Sequence, residues 1–269
     1  HTARKYNDNF KEILNNPESK QLLIQLLFAV PIEFRQHVEE LLLIAAIDAR
    51  ADFSQLFTII FDKVNQNFSF PDLYTALSFS NKWIKNSLST DYFTNVSQII
   101  LPLLQACTSE PTMDDMKAKA ITELAHLTKL LISRGHIIFN DSFDQVIIIF
   151  CQLFSQPFDS ELSHKMKAVI AKFLALLVVF VCEKWKTVKE LEEWKQHFST
   201  TLLPVIFTST MAASQQPMNG VLIGRLFYIL YVFLSFEIMP DKILTPEFFN
   251  GIVIPAARLT ESDLSDYSD

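Results

Sequence analysis

Apolar residues recur along the chain at spacings of three and four and almost nowhere alternate, which predicts helix after helix. The clearest case lies between Phe34 and Lys85. Phe34, Val38, Leu41, Leu42 and Ala45 mark one buried face, with Glu33, Gln36, Glu39 and Glu40 on the other side. Phe53, Leu56, Phe57, Ile60 and Val64 repeat the pattern, with Gln55, Asp62, Lys63 and Gln66 turned to water. A hinge as short as Ala49–Asp52 folds the two faces back on each other, and their shared edge then needs a third helix, Leu73–Leu88, capped by Asp72.

The rest of the chain continues in the same style. Thr2–Asn15 turns Tyr6, Phe10, Ile13 and Leu14 inward, and Ser19–Val30 runs between Pro17 and Pro31. Helices are expected over Tyr92–Cys107 and over Thr112–Ser133, the latter opened by Thr112 and ended by Gly135. Phe143–Gln156 reads as helix despite the β-branched run Val146-Ile147-Ile148-Ile149, because helical neighbours flank it. Glu161–Trp185 is the longest and most apolar helix. Val188 to Met211 follows, with Thr187 and Glu190 as its capping box. After a loop at Ala212–Asn219, Val221–Phe236 and Pro246–Leu259 form the last pair, with Thr245 capping the second. About twelve helices make six pairs of the ~40–47 residues usual in HEAT and armadillo arrays. Ile100-Leu101-Pro102, Leu202-Leu203-Pro204 and Val253-Ile254-Pro255 echo one another 102 and then 51 residues apart. Proline inside a helix costs ~3 kcal/mol, so its recurrence fits helices bent along a curved stack. The fold expected is an all-α, right-handed superhelical solenoid of about six HEAT-like antiparallel pairs. It would run as one continuous array over 1–269, a fragment of a longer chain.

Composition narrows the function classes. Apolar residues make up 49% of the chain, ample for a large core, while only four glycines occur. That scarcity argues against glycine-rich phosphate loops and doubly wound nucleotide folds. A net charge of −7, with no long Lys/Arg run, argues against direct nucleic-acid binding. The most apolar run, Ala168–Cys182, is 15 residues long and contains Lys172, short of the ~20 that a membrane span needs. Cys107, Cys151 and Cys182 sit singly in apolar helical runs, as buried reduced thiols do.

No catalytic constellation emerges. The six histidines never fall at a metal-binding i, i+4 spacing, and no nucleophile elbow or P-loop occurs. The pairs Glu39-Glu40 and Glu192-Glu193 diverge by ~100° on a helix and read as solvated faces. Gly220 and Gly224 suggest close helix packing or local bending. Trp83, Trp185 and Trp194 lie at helix ends, where an indole N–H reaches a structural partner. The twenty-four phenylalanines fill the space between stacked helices, and some of them could line grooves between outer helices. No catalytic residue, metal ligand or cofactor site is assigned.

One stretch also resembles a known family. Ile47-Asp48-Ala49-Arg50-Ala51-Asp52-Phe53-Ser54-Gln55-Leu56-Phe57 is similar to the I-A-x-x-D-F-P-x-x-W-x-x-L turn of the karyopherin-β transport receptors, nearest the branch of the importin-α re-exporter. Asp52 and Phe53 match, Phe57 stands where the family has Trp, and Ser54 departs from its Pro. Leu73–Lys85, with Ala76, Leu77 and Trp83, resembles the helix that follows, and Ile254–Leu264 resembles a segment several repeats later. The resemblance implies a transport receptor shuttling between cytoplasm and nucleus. Its expected partners are the GTPase Ran, a protein cargo or adaptor, and the Phe-Gly repeats of nucleoporins, with neither nucleic acid nor membrane. Glu261, Asp263, Asp266 and Tyr267 are the candidate partner-binding residues, while Asp52, Phe53 and Phe57 belong to a turn of structural character. The alternative is a HEAT-repeat scaffold subunit of a multiprotein complex.

Overall fold

A computed structural model describes residues 16–48, 53–86, 93–109, 112–134, 140–158, 160–183, 192–216 and 218–254. All regular structure among the described residues is helical. The chain divides into two compact units, His1–Ile138 and Phe139–Asp269.

The first unit contains α1 (Pro17–Ala29), α2 (Ile32–Asp48), α3 (Phe53–Gln66), α4 (Phe70–Asn86), α5 (Phe93–Thr108) and α6 (Asp115–Ser133). Each odd-numbered helix packs on its successor, and α4 lies between α2 and α6. Polar bonds fix the direction of these three. Arg35 of α2 reaches Asp72 and Thr75 of α4, and Glu39 reaches Ser78 and Lys82 further along. Asn81 of α4 reaches Glu123 of α6, and Arg134, just beyond α6, reaches the Lys85 carbonyl. Partners advance together, so α2, α4 and α6 run parallel. A helix must separate each from the next, and the antiparallel pair follows.

The core is the sum of the stripes. Leu56, Phe57, Ile60 and Val64 of α3 are buried as their spacing predicts. Leu73, Ala76, Leu77, Phe79, Trp83 and Ile84 give α4 apolar cover on both sides, as its central position requires. The inward face of α2 differs from expectation. Among its described side chains Arg35, Val38, Glu39 and Leu42 are buried, and Phe34, assigned to the core by spacing, is 56% exposed. Long-range partners on α4 turn the helix so that two charged side chains point in.

The second unit contains α7 (Asp141–Ser155), α8 (Glu161–Glu183), α9 (Glu192–His197), α10 (Leu203–Ala213), α11 (Gly220–Ser235), α12 (Pro240–Ile243) and α13 (Pro246–Phe248). Here α7 packs on α8 and α10, and α8 packs on α11. Phe150 meets Phe173 with ring centroids 5.1 Å apart, and Phe207 meets Phe233 at 5.7 Å. The run Val146–Ile149 is helical inside α7, where burial of Val146 and Ile147 against neighbouring helices outweighs the slightly lower helix propensity of β-branched residues.

Caps and prolines refine the boundaries. Ser69 Oγ accepts from the Asp72 N–H at the start of α4, where Asp72 was expected to cap. Asp114, rather than Thr112, caps α6 by accepting from the Lys117 N–H. Thr245 caps α13 as expected, with Pro246 opening the helix. Between α9 and α10 lies a π turn, Phe198–Leu202, in which the Leu203 N–H donates to the Phe198 carbonyl. The same turn recurs at Phe249–Val253, with Ile254 donating to Phe249. In both, the donor is the residue just before a proline. Pro204 has no N–H for the carbonyl four residues back, and the wider turn makes room for its ring. Pro102 sits instead within the α-helix of α5. The proline echo is thus a structural repeat at the 51-residue interval, and it bears on local helix geometry.

Candidate functional site

The sequence-derived candidates fall largely outside the described residues. Glu261, Asp263, Asp266 and Tyr267 lie there, as does Asp52. Phe53 opens α3. Phe57 is buried, its ring 4.5 Å from that of Phe61.

What the structure brings together instead is a polar seam where α2, α4 and α6 meet. It contains Glu39, Tyr74, Ser78, Asn81, Lys82, Lys85 and Glu123. Periodicity assigned Glu39 to a solvated face, yet it is only 3% exposed. Its carboxylate accepts from Ser78 Oγ at 3.3 Å and pairs with Lys82 Nζ. The Asn81 amide donates from Nδ2 to the Glu123 carbonyl at 2.9 Å and to Glu123 Oε2 at 2.6 Å. Burial raises the pKa of both carboxyls above the ordinary value of 4.5, against the lowering by Lys82 at Glu39 and by Asn81, Lys85 and Lys82 at Glu123. Burial, reinforced by the two carboxylates, also raises Tyr74.

A second cluster lies in the other unit. Asp144 of α7 accepts from Trp194 Nε1 at 3.0 Å and is bonded to His197 Nε2 at 2.8 Å. The Trp194 ring stands between those of Phe143 and Phe198, at 6.2 and 5.3 Å. The indole at a helix end has thus found the structural partner expected of it. At the other end of α7, Lys167 Nζ donates to Gln216 Oε1 at 2.6 Å and lies 5.9 Å from the Phe158 ring, while Gln216 Nε2 donates to the Ser155 carbonyl. Lys117 repeats the arrangement in the first unit, donating to the Thr112 carbonyl at 2.8 Å, 5.8 Å from the Phe70 ring. Such cations serve structure, tying loop carbonyls and aromatic rings to a helix start.

The reactive inventory is quiet. Burial pushes the Cys107 and Cys151 thiols up to about 12 and raises Cys182, leaving them protonated and poorly nucleophilic. Among the described residues, no cluster of His, Cys, Asp and Glu could hold a metal ion, and no helix is long and apolar enough to cross a membrane. The exposed apolar side chains include Val221, Tyr228 and Tyr231 along one line of α11. Gly224 lies on that same line, and a Cβ added to it or to Gly220 would meet nothing within 4 Å. The close packing expected at these glycines is therefore absent.

Comparison with protein-family models, characterised proteins and solved structures yields no significant match. Sequence reasoning missed Arg35, Glu39, Asn81, Glu123 and Asp144. The only signal they carry is a charged or amide side chain among helix-face residues, whose partners lie 37 to 53 positions away.

Proposed function

We propose that the protein works by shape as a nuclear transport receptor of the karyopherin-β kind. On this reading it is a right-handed superhelical solenoid of about six HEAT-like pairs, continuous over 1–269. It would hold protein cargo or an adaptor together with GTP-bound Ran, touch the Phe-Gly repeats of nucleoporins, and pass between cytoplasm and nucleus.

The observation that supports a stacked-pair protein is the sequence distance of the bonds between pairs. Arg35 to Asp72 spans 37 residues, Glu39 to Lys82 43, Asn81 to Glu123 42 and Asp144 to Trp194 50. All lie near one repeat length, which is what pairs held by their neighbours in line would give, the arrangement that yields extended binding surfaces. The resemblance around Asp52-Phe53 then selects transport among the functions such stacks serve. The deciding measurement is binding of the protein to Ran locked in its GTP form and to Ran loaded with GDP. The receptor reading expects at least about tenfold preference for the GTP form, a coupling of roughly 1.4 kcal/mol.

A scaffold subunit of a multiprotein complex is the second reading, favoured by Ser54 and Phe57 where the family has Pro and Trp. Equal or absent binding to the two forms of Ran selects it.

A further inference from the structure

We propose that the seam of Glu39, Ser78, Asn81, Lys82 and Glu123 is a proton-operated clamp that sets how tightly α4 is held between α2 and α6. The inference needs no transport role, but its effect on bending rests on the stacked-pair reading of the fold. Two carboxyls, one from each flanking helix, close on consecutive turns of α4: Glu39 on Ser78 and Lys82, Glu123 on Asn81. The charges acting on Glu39 are Lys82 and Glu40, and those on Glu123 are Lys85, Lys82 and Glu39, all carried by α2, α4 and α6. Lys82 lies in the field of both carboxyls, its ammonium is paired with Glu39, and its own head is partly in water. Asn81 adds a further burden, because its buried Oδ1 has no hydrogen-bond donor.

The direction of the switch follows from what each state costs. In the closed seam an ionised carboxylate is stripped of water, a cost that outweighs what Lys82 and Ser78 return to Glu39 and what Asn81, Lys85 and Lys82 return to Glu123. Separating the helices hydrates Glu39, Glu123 and Asn81 together. Protons therefore favour the closed seam, and their loss favours the open one. As pH rises above 4.5, the ordinary value, through the raised values in the seam, the balance moves toward opening. Neighbouring helix pairs are the joints of such a stack, so the clamp tunes its bending at one joint.

The test places spin labels on His37→Cys in α2 and Ser133→Cys in α6, in a Cys182→Ser background, and reads their distance distribution between about pH 5 and about pH 8. The expected result is a mean distance that lengthens and a distribution that broadens as pH rises. In Glu39→Gln/Glu123→Gln, which cannot ionise at the seam, the distribution is expected to stay narrow at both ends. A wild-type distribution unchanged across the range overturns the clamp, whether or not the double variant folds. A change of equal size in wild type and double variant overturns it too, because the titrating group then lies elsewhere.

Discussion

Arg35 shows how one side chain can do what a helix face cannot. Its guanidinium donates to the Phe28 and Val30 carbonyls at the end of α1, to the Pro71 carbonyl and Thr75 Oγ1, and to Asp72 Oδ1 at 2.6 Å. It also lies 5.9 Å from the Phe28 ring. One planar, permanently charged fork thus satisfies orphan carbonyls at a helix C-terminus and joins two helix pairs. Removing it leaves Asp72 and several carbonyls unpaired in a mostly buried place. Because Asp72 keeps some access to water, Arg35→Met is expected to cost about 2 to 3 kcal/mol, below the full penalty of a broken interior pair. Urea unfolding checks it through the midpoint. The exposed Glu161–Lys165 pair is the control: Lys165→Ala is expected to leave the midpoint unchanged.

At the scale of the element, legibility depended on whether a helix's environment is local. The α3 stripe was readable because its buried and wet faces do not mix, and α7 was readable as helix from its neighbours. The buried face of α2 was not, since Arg35 and Glu39 turn inward for partners on α4 that no local window contains. Caps shifted by a few positions for another reason. Several good cap residues cluster at each start, and backbone geometry chooses among them: Asp114 is extended, and its carboxylate reaches the Lys117 N–H. The candidate polar seam was invisible for the same reason as α2. Of the two readings of the glycine pair of α11, close packing fails because spacing cannot say which side a helix presents. Gly224 sits on the exposed line with Val221, Tyr228 and Tyr231, with open space where a Cβ would go. It therefore costs backbone entropy and provides no close approach in return. Gly224→Ala is expected to stabilise the protein by about 0.5 to 1 kcal/mol, read as a higher urea midpoint with an unchanged slope. A lower midpoint would mean that the line is covered in solution.

At the scale of the first unit, polar bonds link each helix pair to the next. Helices α2, α4 and α6 are joined by Arg35–Asp72, Glu39–Lys82 and Asn81–Glu123, bonds that each span about one helix pair. None of these three bonds joins α2 to α6 directly, although Glu39 and Glu123 feel each other's charge across the seam. In a stacked array a local defect would weaken the unit it strikes and the interface beside it, then fade with each further interface. Leu124, fully buried in α6, supplies the test. Leu124→Ala creates a cavity and is expected to cost about 2 to 5 kcal/mol. Amide exchange would distinguish a graded array from a single cooperative globule. The graded array speeds exchange most in α5 and α6, less in α4 and least in α1 and α2, whereas a globule with one shared core accelerates all six helices by the same factor. Uniform acceleration would also remove the premise that bending at one joint can be set by one seam, because a unit that opens only as a whole has no separate joints to set.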